Sequence, residues 1–146
     1  MENVTVMVTD MERIGDHAVD IAEIVMTIPE ITKDKTYDNI MMMADLSIEM
    51  LKESLKSFVT GDLSLVDSIR EHDDKVDELF NKVRQEVIQE IKGADTSSSA
   101  EYAVDILMTA KYLERIGDHA ENISEWVEYS ITGKHVEHLP HGQKLG

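Results

Sequence analysis

Apolar residues recur every three or four positions through four stretches of the chain, the period of a helix buried along one side. The first stretch runs from about Glu2 to Ile28, with Val4, Val8, Met11, Ile14, Ala18, Ile21 or Ala22, Val25 and Ile28 in line. Pro29 ends it, because a proline pushes the residue before it out of helical geometry. A polar connector, TKDKTYDN, leads to a second helix over about Tyr37–Val59, its inward line being Ile40, Met43, Leu46, Met50 or Leu51, Leu55 and Phe58 or Val59. Gly61 stops that helix, and Asp62 is the expected N-cap of a third. The third carries Val66, Ile69, Val76, Phe80, Val83, Val87 and Ile91 and closes at Gly93. A loop, ADTSSSAE, holds Ser98 and Glu101 at capping-box spacing, so a fourth helix is expected from about Ser99 to Ile131. The tail KHVEHLPHGQKLG has three histidines and no periodicity, and is expected to be disordered.

The first and fourth of these helices repeat each other. ERIGDHA stands at Glu12–Ala18 and again at Glu114–Ala120, and Ile21, Glu23 and Val25 match Ile123, Glu125 and Val127 at the same offset. Two helices alike over some twenty residues imply a repeated structural unit. Only the last helix of the first copy is present, so the chain is expected to be part of a larger two-repeat protein or a shortened relative of one.

Composition narrows the chemistry. Hydrophobic residues are 42% of the 146, enough for one core, and two prolines with seven glycines favour an all-α fold. Thirty acidic residues against fourteen basic ones give a formal charge of −16, which opposes nucleic acid and anionic lipid as partners. The same excess suits hard cations, which take carboxylate oxygen. With no cysteine there is neither a disulfide nor a thiolate metal site. No apolar run spans a membrane and no signal peptide is visible, so a cytoplasmic chain without direct membrane insertion is expected.

The acids are spaced to share helix faces. Glu114, Asp118, Glu121, Glu125 and Glu128 follow i, i+4, i+7, i+11, and Glu12, Asp16, Asp20 and Glu23 nearly do. These rows lie off the apolar lines and are expected to face outward or into a polar groove. Like charges at that spacing repel, and a polyvalent cation would relieve the repulsion. Asp73 and Asp77 on the third helix form another such pair, with Asp73 close to the apolar stripe. His17 and His119 project about 100° away from the rows and are expected to support a site rather than ligate. Gly15 and Gly117 each cost about 1 kcal/mol against alanine inside a helix, so close packing by a neighbour is expected there. No catalytic motif stands out, and none of the six histidines has an acid three residues before it, which removes the di-iron oxidase pattern.

YLERIGDHAENISEWVEYSITG and DMERIGDHAVDIAEI resemble the signature helices of the PhoU family of bacterial phosphate-signalling regulators. HDDKVDELFNKVRQEV resembles the middle-helix motif of one repeat of that family, and the likeness runs from about Val4 to Lys134 with the three motifs in order. The resemblance implies a fold of tandem three-helix bundles with surface metal clusters of iron, zinc or another metal, held by E(D)xxxD motifs. Glu12 and Asp16 match one such motif, Glu114 and Asp118 the other, and Asp73 and Asp77 match the accompanying aspartates. Glu121, Asp20, His17 and His119 would support those ligands. The division implied is residues 1–28 as the last helix of a first repeat, 36–133 as a complete second repeat and 134–146 as the tail. The family is not enzymatic. It represses phosphate-starvation signalling by linking the ATPase of a phosphate ABC transporter to a sensor histidine kinase. Lacking two helices of the first repeat, the chain would leave the first helix's apolar stripe bare, which implies a homodimer or a domain-swapped assembly. Two other readings are the cytoplasmic PhoU-like domain of a sodium–phosphate cotransporter and a metal-free helical adaptor whose acidic rows are solvated faces.

Overall fold

The computed structural model describes residues 2–133, and the expected disordered tail lies outside them. Four helices follow one another: α1 (Glu2–Thr27), α2 (Lys35–Thr60), α3 (Ser64–Lys92) and α4 (Ser97–Thr132). The all-α class is as the periodicity predicts, and the boundaries differ by a few residues for reasons that lie in the caps.

Asp34, in extended conformation, accepts the N–H of Tyr37 and so opens α2 two residues before the expected start. Gly61 closes α2 in the left-handed region at φ 71°, which an L side chain rarely adopts. Asp62 is not the N-cap of α3. It stands one residue before that position and accepts both the N–H of Ser64 at 3.0 Å and its hydroxyl at 2.6 Å, which holds its carboxyl below the usual carboxylate range. The N-cap of α4 is Thr96, which accepts the N–H of Ser99 at 3.1 Å. Ser98 is therefore already helical, and the capping box expected between Ser98 and Glu101 does not form.

Helices α2, α3 and α4 pack against one another as a three-helix bundle. Met43 and Met50 from α2, Ile69, Val76 and Val83 from α3 and Ala110 from α4 are wholly enclosed at its centre. Of the Met41–Met43 run only Met43 enters this core; Met41 and Met42 are exposed. Helix α1 packs on α4 alone. Met7 and Ile14 meet Ile116, Ile123 and Val127 there, with Trp126 at the edge.

The pairing of α1 with α4 is antiparallel, since Asp10 meets His119 while His17 meets Tyr112. His17 stacks on His119, and these are the same position of the two ERIGDHA copies. Ile14 and Ile116, also equivalent, share one cluster. The two copies are thus related by an approximate two-fold axis passing between them.

That symmetry explains why the predicted α1 stripe is only partly covered. Val4, Val8 and Val25 are exposed, and Met11 is half-buried. Their α4 equivalents for Val4, Val8, Met11 and Ala18 are Ile106, Ala110, Leu113 and Ala120, all buried in the bundle against α2 and α3. Among the described residues α1 is packed against α4 and not against a second pair of helices.

Ile69→Ala, at the enclosed centre, should cost about 2–5 kcal/mol of unfolding free energy. Val59→Ala, on a position 80% exposed, should stay within about 0.5 kcal/mol. Denaturant unfolding of the two variants checks this, and equal losses would place the core elsewhere.

Candidate metal centre

The acidic row of α4 lies where α3 crosses it, not in solvent. Arg70 of α3 reaches Glu128 at 3.2 Å near one end, and Lys111 of α4 lies 5.1 Å from the Phe80 ring of α3 near the other. Between these ends Glu114, Glu121 and Glu125 are buried and Asp118 is half-buried. Of the two directions expected for the acidic rows, outward or into a polar groove, the α4 row takes the second. Helix α3 covers that side, and it brings buried Asp73 against Gly117 in the middle of the row.

Asp73, Asp74 and Asp77 supply the α3 side. One oxygen from each lies within 4.8 Å of the others, and this is the only such group of three among the described residues. Asp73 is 2% exposed. It lies beside Gly117: a Cβ there would stand 3.9 Å from Oδ1 of Asp73, an ordinary contact, and a tight 3.3 Å from Sδ of Met50. Because Gly117 sits one turn from both Glu114 and Glu121, Asp73 is delivered to the middle of the α4 row. The glycine thus serves close packing, by the Met50 side chain of α2.

Carboxylates gathered this closely repel one another. Two full charges 4.8 Å apart repel by about 3.5 kcal/mol at an effective dielectric of about 20. Burial adds a desolvation cost to each carboxylate. Among the described residues, Lys111 answers Glu114 at 2.7 Å, and Arg70 answers Glu128 and Asp67. An all-oxygen, carboxylate-rich set fits a hard cation such as magnesium, calcium, manganese or iron, and fits zinc less well because no nitrogen or sulfur from the described residues joins it.

The other expected site residues are placed differently. Glu12 and Asp16 are exposed on α1, and among the described residues no aspartates of an α3-like helix approach them. Gly15 likewise has nothing within 4 Å of a Cβ built there. His119 is turned from the acidic row to the α1 seam, where its Nδ1 lies 2.8 Å from Oδ1 of Asp10. His17 lies 3.4 Å from Asp20. Sequence reasoning missed Asp10, and also Glu53, whose Oε1 is 2.8 Å from Nδ1 of His72. Both are buried acids whose partner lies on another helix, and spacing along one chain carries no signal of that kind. Asp74 had a signal, adjacency to Asp73, that the i, i+4 pattern passed over.

The fold and the acidic seam define a helical protein built around a repeated carboxylate motif, without a membrane-crossing helix among the described residues. Residues 40–127 match the PhoU domain. The chain is similar to the phosphate-specific transport system accessory protein PhoU homolog of Clostridium acetobutylicum, 36% identical over 134 residues, covering 90% of this chain and 59% of that protein. It is also similar to PhoU homolog 1 of Thermotoga maritima, 33% identical over 138 residues, covering 94% of this chain and 59% of that protein. The crystal structure of the phosphate transport system regulatory protein PhoU from Streptococcus pneumoniae matches with a TM-score of 0.80 at 27% identity, over 92% of this chain and 63% of that one. The chain belongs to the PhoU family. It spans about three fifths of the length of the relatives it matches.

The two equivalent glycines give a test of their unequal surroundings. Gly15→Ala should raise stability by up to about 1 kcal/mol, since alanine is the better helix former and the space is open. Gly117→Ala should gain clearly less or lose, because enclosed Met50 must yield. Equal shifts in melting temperature would contradict the packing described at Gly117.

Proposed function

We propose that this chain is a non-enzymatic, metal-binding regulator of phosphate uptake in the cytoplasm. It would restrain phosphate-starvation signalling through contact with the ATPase of a phosphate ABC transporter and with a sensor histidine kinase. The role in phosphate transport rests on the relatives, which are named as accessory proteins of that system. The observation that carries the metal reading is the group of Asp73, Asp74 and Asp77 on α3, with buried Asp73 beside Gly117 in the α4 row that holds buried Glu114, Glu121 and Glu125. Asp73, Asp77, Glu114 and Asp118 are the proposed ligands, with Glu121 beside them. Glu12 and Asp16 form the weaker half-site, with Asp20 and His17 near them, because no second helix brings them aspartates.

The division proposed is that α1 ends a first repeat and that α2–α4 form a complete second one. Residues Val4, Val8, Met11 and Ala18 then make an interface. A second copy covering them gives a homodimer or domain-swapped assembly, and burying that apolar area is what drives it.

Chelation should lower the melting temperature of metal-loaded protein by about 5–10 °C when the metal stood near 100 times its Kd. Asp73→Asn should abolish this shift, while the metal-free variant melts higher than metal-free wild type because one buried like charge is gone. Scanning calorimetry with elemental analysis checks both. A melting temperature indifferent to chelator, metal and Asp73→Asn would sink the metal reading.

For the assembly, Val4→Asp/Val8→Asp should turn a dimer into a monomer in sedimentation velocity at unchanged helix content. A wild-type chain that is already monomeric at tens of micromolar would rule the dimer out.

A further inference from the structure

We propose that the cleft on the two-fold axis between α1 and α4 binds a small oxyanion of the phosphate class, gripped by Arg13 and Arg115. The cleft is open, about 360 Å³ in volume, and lined by Arg13, His17, Arg115, Asp118 and His119. Four of the five are two equivalent pairs from the two ERIGDHA copies. The fold therefore brings residues 102 positions apart in sequence (Arg13 to Arg115) to opposite sides of one depression.

Each arginine is exposed, and neither makes an ion pair or hydrogen bond with another described residue. In a chain with thirty acids to fourteen bases, two guanidiniums left facing a shared cleft are a concentration of positive charge against the general field. Guanidinium forks match the oxygen spacing of phosphate and stay charged at any working pH. Two forks from opposite sides suit a tetrahedral oxyanion, which offers an oxygen edge to each.

The walls are held in place. His119 is tied across the seam to buried Asp10 at 2.8 Å, and His17 stacks between His119 and Tyr112 at centroid distances of 5.6 and 5.4 Å. Asp10 and Asp20 are thereby engaged with the histidines behind the cleft. Asp118 is the opposing group, a carboxylate on the cleft wall that repels an anion. It is also a proposed metal ligand, and a cation holding it would withdraw that repulsion. This linkage, unlike the cleft itself, rests on the metal reading, and it makes oxyanion binding tighter when metal is present.

The test is calorimetric titration of the full chain with inorganic phosphate up to roughly 10 mM, with and without manganese, a range that two charge-assisted contacts reach. Wild type should bind, Arg13→Gln and Arg115→Gln should each weaken binding about tenfold or more, and the pair should abolish it. Arg84→Gln, exposed on α3, should bind as wild type, and all variants should melt as wild type. Loss of manganese from Glu114→Ala with arginine-dependent phosphate binding intact keeps the cleft and refutes the metal reading's link to it. Phosphate binding that needs manganese and Glu114 but ignores both arginines would overturn the cleft, as would a wild type that binds no phosphate in either condition. Competition by a dicarboxylate as strong as by phosphate would overturn the assignment to a tetrahedral oxyanion.

Discussion

The burial of like charge where α3 meets α4 is the constraint on which the rest of this molecule turns. A helix seam is ordinarily sealed by apolar side chains, and the centre of this bundle is. Alongside that centre, Asp73 and three glutamates of α4 are withdrawn from water. Such an arrangement persists only if the surrounding packing is strong enough to impose it or if a counter-charge completes it. The enclosed methionines, valines and isoleucines of α2 and α3 supply the first. A hard cation would supply the second, and would turn an unfavourable seam into a reason for the helices to keep their register.

The repeat puts the same motif to two uses. On α4 the carboxylates of ERIGDHA face α3, and its glycine lets Met50 come close. On α1 the carboxylates face solvent and the glycine faces nothing. The arginine and histidine of both copies turn to a third direction, toward the two-fold axis, where the copies meet. One heptapeptide thus carries three faces: a stripe for a helix pair, an acidic row for a seam and a basic edge for its own symmetry mate.

Much of the fold was legible in the sequence. Four helices, their approximate ends and most of the bundle core follow from a 3.6-residue period, since burial along one side leaves that trace. The α2 closure at Gly61 was legible because only glycine sits easily at positive φ. The start of α4 was not, because Thr96 and Ser98 are chemically equal candidates and the chain's path decides between them. For the candidate site, the i, i+4 spacing singled out Asp73, Asp77, Glu114 and Asp118, and left open whether the α4 row faces outward or into a polar groove. Burial of an acidic row depends on what the neighbouring helix offers, and that is a property of two segments at once. The Asp10–His119 and Glu53–His72 pairs were invisible for the same reason.

The measurement that bears most directly on the central claim is an anomalous difference map from crystals of the chain grown with manganese. The account places the strongest peak in the α3–α4 seam, within coordination distance of Asp73 and of carboxylates from the α4 row. A strong peak at Glu12 and Asp16 with none in the seam would contradict it, as would a seam free of metal at saturating manganese.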